Sequence, residues 1–568
     1  MLASVPVHIT SLLVPFHVAA GALASREWRS YDDPWVALNS TVGGRLRSVT
    51  PLALPCFSNY DGQQVIPDAQ ACSVVQQNYS SATFRSQHYG VTINGNWDTC
   101  MSRQEQCLLD CSDPTDPLAF NGTICSQGSI SQFYASFPQD VIAAFAFSEA
   151  TGTSLSIKNS GHDYKGRSML KGSLALWMHN VKSLNYNENF VPAGCSPSIS
   201  YDAITAGAGN SLMEVYEFAD EHNVTVVGGF ATTIAYTGGW LMGGGHSQLT
   251  PVYGLGVDRV LEFKVVTPDG QLRVANECQN TDLFWALRGG GGGTFGVVLE
   301  ATSKVEKQIT IQSATITFAD TLAADTAREF YQIVVNNSLQ WASEGWGGFI
   351  YSGMIFSNPR LSYAEAENSL KEISDFAIAH GGNMTLQTMP SFLSYFNART
   401  DVANLVALGS RLIPKDTFMT EEQKSELVDL VLSLSSGAII SFVTPVLFNG
   451  TDNSTSVTPA WRDSIWHLLF TQEWQYNATI SETADIFASI HNYTQSMKAV
   501  APQSGAYQNE ADVYETDHET SFWGVNYPAL LKIKQKYDPK GLLDCWHCVG
   551  WKGASADDFE CYLDLTSL

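Results

Sequence analysis

The sequence predicts an α+β protein of more than one domain. Three observations carry that reading. The chain has 568 residues, enough material for several domains. From Gln139 onward, helical spacing and short β-branched runs are mixed in a stretch dense in glycine. Past residue 310 the texture changes: glycine thins, helical patterns recur and strands lie between them.

Taken in order, Val141 to Ala150 has helical spacing and Ser154 to Ile157 reads as a short strand. That strand runs into turn chemistry at Asn159-Ser160-Gly161-His162-Asp163. Leu174 to Met178 is a second strand candidate. Leu212 to His222 is helical, and Val224 to Val227 is a β-branched strand ending at Gly228-Gly229. Val260 to Val266 turns at Pro268-Asp269-Gly270 and returns through Leu272 and Val274, a hairpin pattern. In the second region Leu322–Ser338, Tyr363–His380 and Glu421–Leu434 read as helices, with strands at Phe349–Ile355 and Ile439–Leu447. A last helix covers Pro528–Tyr537 and closes at Asp538-Pro539-Lys540-Gly541.

Apolar residues make up 44% and charged residues 15%, a globular balance with ample material for a core. The net charge of −25 repels phosphate backbones and anionic membranes, which argues against a nucleic-acid or membrane partner. The first 24 residues carry no Lys, Arg, Asp or Glu, and an apolar stretch from Ile9 ends in Ala22-Leu23-Ala24. That pattern reads as a secretory leader over residues 1–24. No later apolar run is long enough to span a bilayer. Sequons at Asn39, Asn78, Asn121, Asn223, Asn336, Asn383, Asn449, Asn453, Asn477 and Asn492 agree with secretion and imply N-glycans. Residues 25–126 form a Cys-rich N-terminal segment, with Cys56, Cys72, Cys100, Cys107, Cys111 and Cys125 crowded together. In an oxidising compartment they form a disulfide framework, and the total of 11 cysteines leaves an unpaired thiol. Cys545-Trp546-His547-Cys548 lacks the second ligand pair of a structural zinc site, so it is expected to be disulfide-bonded and no metal is expected.

Three glycine-rich runs carry the chemistry. The first, Lys158 to Ser168, follows a strand and contains Asn159, Ser160, Gly161, His162, Asp163, Gly166 and Arg167. Successive backbone N–H groups in such a turn form an anion nest, and absent side chains let a pyrophosphate approach. The second holds Gly238 and Gly243-Gly244-Gly245-His246. The third runs from Arg288 through Gly289–Gly293 to Gly296 and Val298. None is a P-loop or a convincing Rossmann fingerprint. Apolar flanks such as Phe284-Trp285-Ala286-Leu287 mark these glycines as buried against a ligand, not as linker.

Lys-Asn-Ser-Gly-His-Asp-Tyr-x-Gly-Arg-Ser at 158–168 resembles the flavin-anchoring loop of the vanillyl-alcohol-oxidase superfamily, and more closely that of fungal berberine-bridge-enzyme-like oxidases. The resemblance extends through Gly243–Ser247, Tyr253–Asp258 and Asp282–Gly289. It also covers Trp35–Asn39, Val42–Leu46, Tyr507–Asp512 and Phe522–Tyr527. It implies a PCMH-type FAD-binding domain of two α+β subdomains over 127–308. A substrate domain over 309–505 would place an antiparallel sheet and helices above the flavin, and residues 506–568 would return to the FAD domain.

The resemblance also implies FAD bonded to His162 through its 8α-methyl. Relatives with a second tether place a Cys in the stretch matching Gly229 to Ile234, where this chain has none. A single covalent link follows, with a weaker oxidant and a less constrained pocket. Hydride would pass from an alcohol, amine or secondary-metabolite intermediate to the flavin, and dioxygen would act as acceptor, giving hydrogen peroxide. Tyr507 and Asn509 are the catalytic candidates, and Asn526 and Tyr527 are candidate pocket groups. A catalytic Tyr needs its pKa lowered from about 10 by a neighbouring charge or donor. His246 either meets the flavin or satisfies a buried hydrogen bond, and Arg288 either faces the pyrophosphate or pairs with an acid. Two further readings are a carbohydrate oxidase, whose groove would be open and lined with aromatic platforms, and a natural-product pericyclase with a structural flavin.

Overall fold

A computed structural model describes residues 33–319, 321–396, 404–434, 437–450 and 454–565. The expected leader and the Asn453 sequon lie outside these residues. Near the N-terminus β1 (Phe133–Ala135), β2 (Leu155–Lys158) and β3 (Leu174–Trp177) form a small parallel sheet in the order β1-β3-β2. A short antiparallel strand, Arg47–Ser48, completes its β1 edge. Helix α1 (Asp140–Thr151) makes the crossover between β1 and β2 and ends at Gly152, whose φ of 73° lets the chain turn sharply into β2.

A second sheet is antiparallel throughout. It contains β4 (Leu184–Phe190), β5 (Tyr201–Gly207), β6 (Val260–Val266), β7 (Leu272–Asn276) and β8 (Val297–Lys304), ordered β7-β6-β8-β5-β4. The β6–β7 hairpin turns at the expected Pro268-Asp269-Gly270. Helix α2 (Leu212–Glu221) packs its Leu212, Val215, Tyr216 and Ala219 face into the core of this unit. Its start is fixed by a capping box between Ser211 and Glu214. The strand expected over Val224–Val227 is only Val224–Thr225, because its partner Glu306–Lys307 offers two paired residues.

The third sheet has seven antiparallel strands. In chain order they are β9 (Ile311–Thr317), β10 (Gly347–Ile350), β11 (Met354–Asn358), β12 (Asn383–Met389), β13 (Val406–Pro414), β14 (Ala438–Phe442) and β15 (Ser464–Glu473). Their spatial order is β12-β9-β11-β10-β14-β15-β13. One face carries helices α3 (Ala324–Glu344), α4 (Lys371–Ala379), α5 (Glu421–Ser433) and α6 (Ile480–Val500). Period-2 alternation divides β15: Trp466, Leu468 and Phe470 enter the core beneath those helices, whereas His467, Leu469 and Thr471 point the other way.

Three boundaries depart from the sequence reading. The strand expected over Phe349–Ile355 is the hairpin of β10 and β11, whose turn at Tyr351-Ser352-Gly353 sits inside an otherwise strand-like run. The helix expected over Tyr363–His380 breaks at Leu370. β14 stops at Phe442, ahead of Pro445, which has no N–H to extend a ladder.

Five disulfides close the covalent frame: Cys56–Cys72, Cys100–Cys561, Cys107–Cys125, Cys195–Cys278 and Cys545–Cys548. Cys111 is the free thiol. Among the described residues no helix is long and apolar enough to cross a membrane.

Candidate active site

A large cavity of about 600 Å³ runs between the two smaller sheets and the seven-stranded sheet, which roofs one end. Its floor includes the loop after β2. Asn159 Nδ2 donates to the carbonyls of Ala208 and Thr237 (2.6 and 3.0 Å), and Trp177 Nε1 donates to Asn159 O at 3.0 Å. Ser160 Oγ accepts from the Ala235 N–H. Gly161 has a φ of +91°, and a Cβ there would stand 2.9 Å from Lys158 Cε, so the bend needs glycine. Lys158 is fully buried, its Nζ donating to the carbonyls of His88, Tyr89 and Val91. Burial lowers its pKa to about 7.

His162 faces the cavity, with Nε2 2.7 Å from Thr233 Oγ1. Asp163 receives Arg167 in a bidentate pair and the Arg167 backbone N–H. Burial opposes ionisation of Asp163, but the Arg167 guanidinium and these N–H groups outweigh it, and its pKa falls below the usual carboxylate range. Asn159, Ser160, Gly161, His162, Asp163, Arg167, Gly296, Val298, Tyr507 and Asn509 all line the cavity. Gly166, Gly238, Gly243, Gly244 and Gly245 stand one layer behind it. Gly243 backs Asn509, since a Cβ on it would lie 2.3 Å from Asn509 Nδ2.

Asn526 and Tyr527 are not in the cavity wall. Asn526 Nδ2 donates to Val457 O and so ties the C-terminal segment to the loop before β15, whereas Tyr527 accepts from the Gly550 N–H while packing on Trp523 and closes that segment on itself. Arg288 takes neither expected partner: its guanidinium lies 4.0 Å from the Phe284 ring centroid and donates to Ser454 O. Tyr507, which needs a lowered pKa to act as a base, is 1% exposed, and burial shifts its pKa upward instead. Asn509 is a brace. Its Nδ2 donates to Tyr507 Oη (2.7 Å) and Gly239 O (2.8 Å), and its Oδ1 accepts from Arg167.

The residue next to that brace was missed by sequence reading. Glu510 lines the cavity, and both its carboxylate oxygens lie 3.1 Å from His246 Nε2. His246 lines the cavity and makes the buried hydrogen bond that was one of its two expected roles. His467 lies behind them, fully buried, with Nδ1 3.6 Å from Glu510. Burial first, then His246, lowers the His467 pKa to about 3, so its ring is neutral. Although burial opposes it, the Glu510 pKa is lowered by His246, which leaves a carboxylate aimed into the cavity. The functional atoms of His246, His467 and Glu510 all fall within 4.8 Å of one another.

Fold and cavity define a cofactor-binding protein whose long pocket is floored by backbone and roofed by a sheet. A family model described as "FAD binding domain" matches residues 133–276, and one described as "Berberine and berberine like" matches 506–545. FAD-linked oxidoreductase ffsJ of Aspergillus flavipes is 38% identical, covering 96% of this chain and 95% of that protein. FAD-linked oxidoreductase OXR2 of Pyricularia oryzae is 39% identical over 91% and 92%. The crystal structure of the VAO-type flavoprotein MtVAO615 from Myceliophthora thermophila superposes with a TM-score of 0.81 at 27% identity, covering 93% of this chain and 96% of that one. Glucooligosaccharide oxidase from Acremonium strictum shares the fold at a TM-score of 0.62 and 22% identity, over 74% and 92%. The chain belongs to the berberine-bridge-enzyme-like FAD-linked oxidoreductases of the vanillyl-alcohol-oxidase superfamily.

Proposed function

We propose that this enzyme holds FAD through one bond to His162 and oxidises a small molecule bearing an O–H or N–H beside the C–H that is lost. The residues fit the cofactor. Side-chain-free backbone at Gly161, Gly239, Gly292, Gly293 and Gly296 lines the cavity, and His162 projects into it. No thiol follows Gly229, and Thr233 is the hydrogen-bond partner of His162 there. FAD, when bound, supplies the hydride acceptor and passes electrons to dioxygen with release of hydrogen peroxide.

The observation that carries the chemical reading is Glu510. A carboxylate kept ionised by His246 and facing the cavity is placed to take the substrate's O–H or N–H proton. Tyr507 and Asn509 fix the Glu510 backbone from the adjacent turn, and the Asn509–Arg167–Asp163 chain ties that turn to the His162 loop. The sheet roof excludes water from the proton transfer.

Acid precipitation of purified protein tests the tether. Yellow colour in the pellet, with flavin mass on the peptide containing His162, is expected, and His162→Ala should leave it in the supernatant. Anaerobic mixing with an oxidisable alcohol tests the redox role, because a flavin that never bleaches accepts no hydride. Five disulfides and exposed sequons at Asn121, Asn223, Asn336, Asn383, Asn449, Asn477 and Asn492 support secretion with N-glycans.

A further inference from the structure

The roof selects the substrate by polarity. Five cavity-facing side chains of the seven-stranded sheet are apolar: Phe349, Ile355, Leu408, Ile439 and Leu469. Cross-strand register confirms that they share a face, since Phe349 pairs with Ile355 and Ile439 with Leu469. Phe230, from the glycine-rich floor, meets Phe349 at a centroid distance of 4.9 Å and closes this apolar chamber from the side. No charged side chain of the sheet lines the cavity. The polar side chains that the strands add to this wall are Ser441, which is 0% exposed, and Thr471, whose Oγ1 donates to Gly437 O.

We infer that the substrate is a largely apolar small molecule whose reacting O–H or N–H meets Glu510 while its apolar body packs on Phe349, Ile355, Leu408, Ile439 and Leu469. This rests on the proposed role of the cavity as the oxidation site. An oligosaccharide is the wrong shape of chemistry for this roof. Each sugar hydroxyl pressed on Leu408, Ile439 or Leu469 without a partner weakens binding by roughly tenfold.

The test is calorimetric titration of the flavin-loaded protein with alkyl phenyl ketones of increasing chain length, which cannot donate hydride from the carbonyl carbon. Affinity should tighten about fourfold per added methylene until the chamber is full. Leu469→Asn should flatten the chain-length slope. Cellotetraose should bind more weakly than any ketone of the series. A flat slope, including no binding at all, or tighter binding of cellotetraose overturns the inference. The flavin reading is judged separately. A slope in protein whose flavin no alcohol bleaches upholds the apolar chamber and sinks hydride transfer, whereas bleaching by cellotetraose does the reverse.

Discussion

Replacing Glu510 with Gln separates catalysis from folding at this site. The side chain is 22% exposed and keeps its volume in the substitution. Its Oε would still accept from His246 Nε2, now 3.1 Å from both carboxylate oxygens. The new amide N–H₂ would face His467 Nδ1, which is 3.6 Å away and has no hydrogen-bond partner among the described residues. The exchange therefore trades one favourable contact for another, and Tm should shift by no more than about 1 °C, the scale of a few tenths of a kcal/mol. Loss of the proton acceptor is a different matter. General-base catalysis contributes about 10²–10⁴-fold, so the reductive half-reaction should slow by that factor, equivalent to about 3–5 kcal/mol of barrier. The assay is the anaerobic rate of flavin bleaching, set beside flavin content and thermal melting of the same preparation. A variant that bleaches within about threefold of the parent refutes Glu510 as the proton acceptor, because threefold is under 1 kcal/mol. A large loss accompanied by a collapsed Tm refutes the separation of roles.

Further outcomes follow from the same geometry. Because Glu510 must be ionised and its pKa is lowered, the bleaching rate should stay level through neutral pH and fall only below the usual carboxylate range near about 4.3; that acid limb should vanish in Glu510→Gln. Gly243→Ala drives a Cβ to 2.3 Å from Asn509 Nδ2, and overpacking of this kind costs about 1–3 kcal/mol, read as lower Tm and reduced flavin retention. Removing the Cys100–Cys561 link by a double Ser substitution frees the C-terminal tail from a span of 461 residues. Stability should fall by up to about 5 kcal/mol, the upper end of measured disulfide effects, and limited proteolysis should clip the tail first. The tail carries Tyr562, whose hydroxyl donates to Lys165 O beside the flavin loop, so cofactor retention should drop as well. Unchanged proteolysis would show that the stacked Trp546–Tyr562 pair at 3.9 Å holds the tail without the bond.

The bend after β2 was legible in the sequence because its determinants are contiguous. Asn159, Ser160, Gly161, His162 and Asp163 bend the chain by local rules, and their neighbours in space are their neighbours in the chain. The β6–β7 hairpin was legible for the same reason. Glu510 was not, because what makes it chemically distinct is remote: His246 lies 264 residues upstream, and His467 belongs to a roof strand whose alternation alone turns it toward the site. The burial of Tyr507, which opposes the lowered pKa a phenolic base needs, comes from packing that its sequence motif does not record.

What the chain by itself determined is the α+β class, the FAD-binding family and the glycine-rich bend that carries His162. Each depends on short-range backbone preferences and on glycine where a side chain would collide. What the tertiary structure alone decided is which titratable groups are buried beside charges and which face of the roof sheet lines the cavity. Ionisation depends on burial and on charges brought together from distant segments, and the roof's apolar face depends on strand register. A register shift of β15 by a single residue would have turned Trp466, Leu468 and Phe470 toward the cavity and His467 into the core beneath the helices.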